Sequence, residues 1–141
     1  MLKVAVLMPA TVEDAGDFLA NIRALEAAGA AMIGVEGGAT ERLILLGAIA
    51  AVTERVRIMT TGSEPDVVRA LGRGRAERAM EPGESWVEVP VPRDRDAWAS
   101  TLREQEAAGA TGVIVSWDPR LIDLLRNPEP DDRSDLQMST G

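Results

Sequence analysis

Glu36 is the residue of this sequence best placed to move a proton. It closes a short apolar run, AMIGV, and precedes Gly37 and Gly38. A carboxylate at a buried strand end meets the conditions that raise a pKa and make a general acid or base. The same position also suits a carboxylate that pairs with an arginine or caps a helix. Thr60, Thr61, Gly62 and Ser63 offer hydroxyls and free backbone N–H groups beside a helix start. That is either an anion seat or an ordinary capped turn. Arg73 and Arg75, in GRGRAER, can clamp a phosphate or line a solvated helix face; the stretch is not the G-x-G-x-x-G of a nucleotide loop. Trp117 can stack on a ring or pack under a loop. Asp131, Asp132 and Asp135 can hold a cation or belong to an acidic tail.

What is missing narrows the chemistry further. The chain has no histidine and no cysteine. A Ser-His-Asp triad, an imidazole or thiolate metal site, and a disulfide are therefore excluded. Acid–base work falls to Asp, Glu or Lys3, the sole lysine. The net charge of −8 argues against a nucleic-acid partner and against anionic membranes. No apolar run reaches the length of a membrane span, and the N-terminus lacks a secretory layout. The expectation is a cytoplasmic protein that takes a small-molecule ligand and no metal.

These residues need elements to hold them. Residues 3–9, 31–35, 56–60, 85–91 and 112–117 are short apolar runs and predict strands. Pro90 places the fourth at an edge or a strand end. Helices are expected over 12–28, 41–54, 65–80, 94–108 and 119–126. Phe18, Ile22 and Leu25 share one helix face, Gly29 stands where a C-terminal cap belongs, and Thr40 can cap the second helix. Gly72 and Gly74 weaken the third helix. With four aromatic residues in all, the core must come from Ala, Val, Leu, Ile and Met.

One pattern joins two of these units. RALEAAGAAMIGV begins at Arg23, and REQEAAGATGVIV begins at Arg103, eighty positions on. Phe18 matches Trp98, Glu26 to Ala30 match Glu106 to Ala110, and Val35 matches Val115. Each copy is a helix, a glycine stop and an apolar strand. Alternation of this kind predicts an α/β fold with a mostly parallel sheet of about five strands, a partial or shortened (β/α) TIM-like barrel. One domain over residues 1–126 and an acidic, flexible tail over 127–141 complete the expectation.

The segments FLANIRALEAAGA, AMIGVEGG and LILLGAIAAVTERVRIMTTG resemble the opening βαβαβ of the luciferase-like flavin oxidoreductases. That superfamily includes bacterial luciferase and the F420-dependent reductases and dehydrogenases. Residues 51–57 and 60–62 carry the resemblance best, and EAAGATGVIVSWDPRLIDLLRNP is similar to units of the family's second half. The chain departs from the family in three ways: five strands for eight, no histidine, and no long excursion after the third strand. The resemblance implies FMN or F420 as cofactor and monooxygenase-like hydride chemistry carried by that cofactor. Thr60–Ser63 would then take a flavin phosphate, and Trp117 would stack on the isoalloxazine. Its alternative is a non-catalytic flavin-binding or dimerising partner subunit. Open barrel edges predict a homodimer or a larger complex.

Overall fold

In a computed structural model of the chain, strands β1 (Lys3–Met8), β2 (Met32–Val35), β3 (Arg57–Ile58), β4 (Trp86–Glu88) and β5 (Gly112–Ser116) alternate with helices. The helices are α1 (Ala15–Ala28), α2 (Ala39–Val52), α3 (Asp66–Gly72), α4 (Arg95–Ala107) and α5 (Leu121–Arg126). The structure describes residues 2–37, 39–61, 64–76 and 81–127. All strand pairs are parallel, in the order β3-β2-β1-β5-β4.

Read from β4, that order is 4-5-1-2-3, so the helical crossovers step the same way across the sheet. Only the return from β3 to β4 runs back. Right-handed crossovers with one direction of travel put the helices on one face. The packing agrees: Ile22 of α1, Leu46 of α2, Val68 of α3, Trp98 of α4 and Leu121 of α5 bury in one cluster with Val4, Val6, Ile33, Ile58 and Val113 of the strands. A doubly wound sheet reverses its travel at a switch point and carries helices on both faces. The present winding is that of a β/α barrel opened between β3 and β4.

The register supports the same comparison. The two copies of the repeat lie in one parallel sheet, with β2 and β5 flanking β1 rather than touching each other. Met32 pairs with Ala5, but its counterpart Gly112 pairs with Lys3. Equivalent positions are thus displaced by two residues over two strand steps. About one residue per strand is the stagger of an eight-stranded barrel with a shear of eight. The two edges also curl towards each other. A flat sheet would hold β3 and β4 about 19 Å apart, four spacings of about 4.8 Å. Yet the guanidinium of Arg57 in β3 lies 5.6 Å from the ring centroid of Trp86 in β4.

The repeat extends to its hydrogen bonds. Gly29 has φ 105° and Gly109 has φ 90°, conformations that favour glycine. Gly29 N–H donates to Glu26 O at 3.1 Å and Ala30 N–H to Leu25 O at 3.0 Å. Gly109 N–H donates to Glu106 O at 3.1 Å and Ala110 N–H to Gln105 O at 3.0 Å. Phe18 and Trp98 are both buried, as the alignment of the copies requires.

Several boundaries differ from expectation. α1 starts later, because the Asp14 carboxylate accepts from Asp17 N–H at 2.9 Å and caps it. Thr40 lies inside α2, so it does not cap that helix. β3 keeps two residues of an expected five and β4 three of an expected seven; both are edge strands. α3 stops at Gly72, where Arg73 turns left-handed at φ 50° and Gly74 follows at φ 83°. The two glycines end the helix rather than weaken it. Residues 77–80 of the expected helix and 128–141 of the expected tail lie outside the described residues.

One side chain of the repeat also ties neighbouring units together. The Glu26 carboxylate accepts from the backbone N–H groups of Glu54, Arg55 and Val56, at 2.7 to 3.1 Å. It fixes the turn from α2 into β3. Glu26→Gln keeps one acceptor and loses the charge, and should cost about 1–2 kcal/mol in urea unfolding. A loss within experimental error would mean that water replaces this clamp without penalty.

Candidate functional site

In parallel barrels, ligands bind at the C-terminal ends of the strands. Glu36 stands there, directly after β2, with its N–H donating to Met8 O at 2.8 Å. Its side chain is exposed. Ser116, the last residue of β5, donates its hydroxyl to Glu36 Oε1 at 3.0 Å. Glu36 and Ser116 are the same position in the two copies of the repeat, meeting across the end of β1. Gly37 is exposed at φ 85°; Gly38 lies outside the described residues. Trp117 is half-buried against the main core, and its N–H donates to Leu7 O at 2.8 Å.

The loop after β3 is built around a carboxylate of its own. Thr61 donates its N–H at 2.7 Å and its hydroxyl at 3.1 Å to Glu64 Oε1. Arg42 of α2 adds a third donor to the same oxygen at 3.0 Å. Glu64 is 5% exposed. Burial pushes its pKa up, but the Thr61 and Glu64 backbone N–H groups, Arg42 and the Thr61 hydroxyl outweigh it and hold the pKa at about 2. Thr60 donates its hydroxyl to Ala76 O at 3.1 Å. Gly62 and Ser63 lie outside the described residues.

Of the two arginines of GRGRAER, Arg75 is bonded into the scaffold. Arg75 is 3% exposed. Its Nε donates to Gly72 O at 2.9 Å, Nη1 to Thr53 Oγ1 at 2.7 Å and to Val56 O at 3.1 Å, and Nη2 to Ala50 O at 2.8 Å. It thereby satisfies carbonyls at the C-terminal end of α2 and before β3. Arg73 is exposed, and its Nη2 reaches Thr53 O at 3.4 Å. Both sit with the α2–β3 turn, before the start of β3, not with Glu36.

At the N-terminal ends of the strands, the inner sheet face carries a charged cluster that composition and periodicity do not reveal. Arg57 donates to both oxygens of Glu84, at 2.9 and 2.5 Å. Lys3 Nζ lies 3.5 Å from Glu84 Oε2, and Trp86 Nε1 donates to Glu84 Oε1 at 3.3 Å. The guanidinium holds the Glu84 carboxyl well below the usual carboxylate range, against the effect of burial. Above this layer, Ala5, Met32 and Ile114 form a small apolar cluster with Leu7, Met59 and Trp86 at its margin. Glycine is required twice on this face. A Cβ on Gly34 would stand 2.9 Å from Met59 Cβ, and one on Gly112 would stand 2.4 Å from the Trp86 ring. Neighbouring side chains fill the bowl as they fill a barrel interior.

The rim is therefore acidic and internally paired. Among its described arginines, Arg42 meets Glu64, Arg93 lies near Asp94, and Arg120 donates to Asp118. A phosphate brought to Arg42, Arg93 or Arg120 would meet a carboxylate beside each. A separate cavity of about 760 Å³ lies between α4, the start of β1 and the α1–β2 turn, lined by Leu2, Ala28, Trp98, Leu102, Arg103 and Leu125 among others. It is at the N-terminal end of β1, away from Glu36. No described helix is long and apolar enough to cross a membrane.

Four depressed carboxylates, Asp118 bonded by Arg120 and three glutamates, set an expected pH profile. Glu26, Glu64 and Glu84 have lower pKa values folded than the ordinary 4.3 or so of an unfolded glutamate. A lowered folded pKa stabilises above the unfolded value and is lost as pH falls through the folded one. With no histidine in the chain, thermal stability should be flat from about pH 5 to 7. It should fall between about pH 4.5 and 2, and Glu64→Gln should flatten part of that fall. A midpoint that drops between pH 7 and 5 would contradict this account.

The chain matches no protein-family model, no curated protein and no solved structure.

Proposed function

We propose that this chain is a non-catalytic partner subunit built on a shortened luciferase-like barrel. One observation carries the reading: Glu64 occupies the anion position that the end of β3 offers, bonded to Thr61 and locked by Arg42. A phosphate held by Thr61 would have to compete with that carboxylate for its N–H and hydroxyl. The one-way winding and the stagger of about one residue per strand support kinship with a β/α barrel. The test is a fluorescence titration of the purified protein with FMN, FAD and F420. No binding below about 100 µM is expected for the natural sequence. Micromolar binding of any of the three would overturn the proposal.

A flavin- or F420-dependent oxidoreductase is the second reading, and the Glu36–Ser116 pair favours it. That pair is a solvent-open acid and hydroxyl at the rim, beside Gly37 and near the half-buried Trp117. In that case Glu36 would orient or protonate a ligand, and the cofactor would supply the hydride chemistry. Glu36→Gln would then lower turnover while leaving the unfolding midpoint unchanged.

A further inference from the structure

We infer that the cavity between α1, α4 and the start of β1 is the docking groove for this chain's own residues 128–141, which seat Leu136 and Met138 in it. The inference is independent of the partner-subunit reading. α5 packs on α1 and is tied to α4 by Arg95, which bonds both the Asp123 carboxylate and the Asn127 carbonyl. It is too short to fill the space between them. Its six residues span about 9 Å, against about 20 Å for α1 and α4. The cavity lies past its last turn, where Leu125 is the residue of α5 that lines it. Leu2, Leu102 and Leu125 are only half-buried there, beside the fully buried Trp98.

Four observations choose this segment as the occupant. The first is where α5 stops. Pro128 follows Asn127, which has left helical geometry at φ −131° and ψ 73°, so the helix ends for a local reason with the groove still open beside it. The second is composition. Residues 128–141 hold two large apolar side chains, Leu136 and Met138, and two positions apart they share one side of an extended chain. The third is reach: the nine residues from Asn127 to Leu136 span up to about 30 Å, more than the length of α1 or α4. The fourth is charge. Glu129, Asp131, Asp132 and Asp135 outnumber Arg133 in the segment. Arg103 stands exposed on the groove wall, with a long side-chain bond to Ser100 Oγ at 3.4 Å. A segment tethered at the mouth also acts at an effective concentration of about millimolar, ahead of a free occupant of the same chemistry.

Paramagnetic broadening in the whole chain tests this. The chain has no cysteine, so Ser139→Cys carries a single nitroxide. The label should remove most of the amide signal intensity of Gly29, Leu102 and Arg103. It should spare Gly37 and Trp117, at the opposite end of the strands. Leu136→Asp combined with Met138→Asp should lower the docked-to-free ratio at least about tenfold and restore the lost signals. Arg103→Glu should lower that ratio about twofold. Full intensity at Gly29, Leu102 and Arg103 in the labelled chain overturns the inference, as does broadening that survives the double substitution. A mixture of isotope-labelled chain without nitroxide and unlabelled chain carrying it should show no broadening at these amides. Broadening in that mixture would put a second copy in the groove and overturn the inference as well.

Discussion

Arg75→Met should destabilise the fold by about 3–5 kcal/mol, among the largest effects of any single substitution in this chain. Methionine replaces the apolar stem but offers no donors. The carbonyls of Ala50, Val56 and Gly72 then lose the N–H groups that Arg75 gives them. A buried acceptor left without a partner costs about 1–3 kcal/mol. Relief from burying a guanidinium offsets part of that sum, which leaves a net loss near the figure for breaking a buried charge contact. Arg75→Lys should recover less than half, because one ammonium cannot span carbonyls on three segments. Urea unfolding with constant slope gives both numbers. A loss below about 1 kcal/mol would show the guanidinium to be dispensable to the fold, and its use in clamping a phosphate would return to consideration.

Glu84→Ala should cost about 3 kcal/mol and loosen the bowl. Its side chain is 10% exposed and is shared by Arg57, Lys3, the Trp86 indole and the Glu81 N–H. Removing it leaves Arg57 and the half-exposed Lys3 on the inner sheet face with Glu81 as the remaining acidic neighbour of Arg57. Arg57 and Trp86 belong to opposite edge strands, so the loss is expected to appear as a change in the tryptophan near-ultraviolet circular dichroism as well as in stability. A double-mutant cycle with Arg57→Met should give a coupling of about 1.5–3 kcal/mol. Independent effects of the two substitutions would mean that curvature comes from backbone twist alone.

Much of the frame was legible in the sequence. Apolar runs separated by helical spacing gave five strands and five helices, and the eighty-residue repeat identified equivalent units whose caps share one hydrogen-bond pattern. Pro90 marked β4 as an edge or a strand end, and β4 is an edge strand that stops at Glu88. The shortfalls in β3 and β4 have a common cause: an edge strand pairs on one side only, so its ends are held less far than a period of apolar residues implies. The site was legible in outline only. Glu36 could be placed at a strand end, but its partner Ser116 follows only when both copies of the repeat are known to flank β1. Arg75 and Glu64 carry no local sign of what they bind. Their partners are fixed by how α2, β3 and α3 stack, not by any period in the chain. The Arg57–Glu84 contact depends on curl across the whole sheet, which apolar patterning does not encode.

The first strand in the chain is the middle strand of the sheet, and that has a consequence for synthesis. β1 finds β2 soon after both leave the ribosome. Its other edge must wait for β5, because Lys3 pairs with Gly112 and Leu7 with Ser116. Between Ile58 and Ser116 a ribosome spends roughly 3–12 s at about 5–20 residues per second. Through that interval the nascent N-terminal half exposes an open row of N–H and C=O groups flanked by valines, a template for joining another nascent chain. Closure of so long a loop is also slow in itself. Chaperone demand during production should therefore track the emergence of residues 112–116, and truncations that stop short of β5 should aggregate rather than fold.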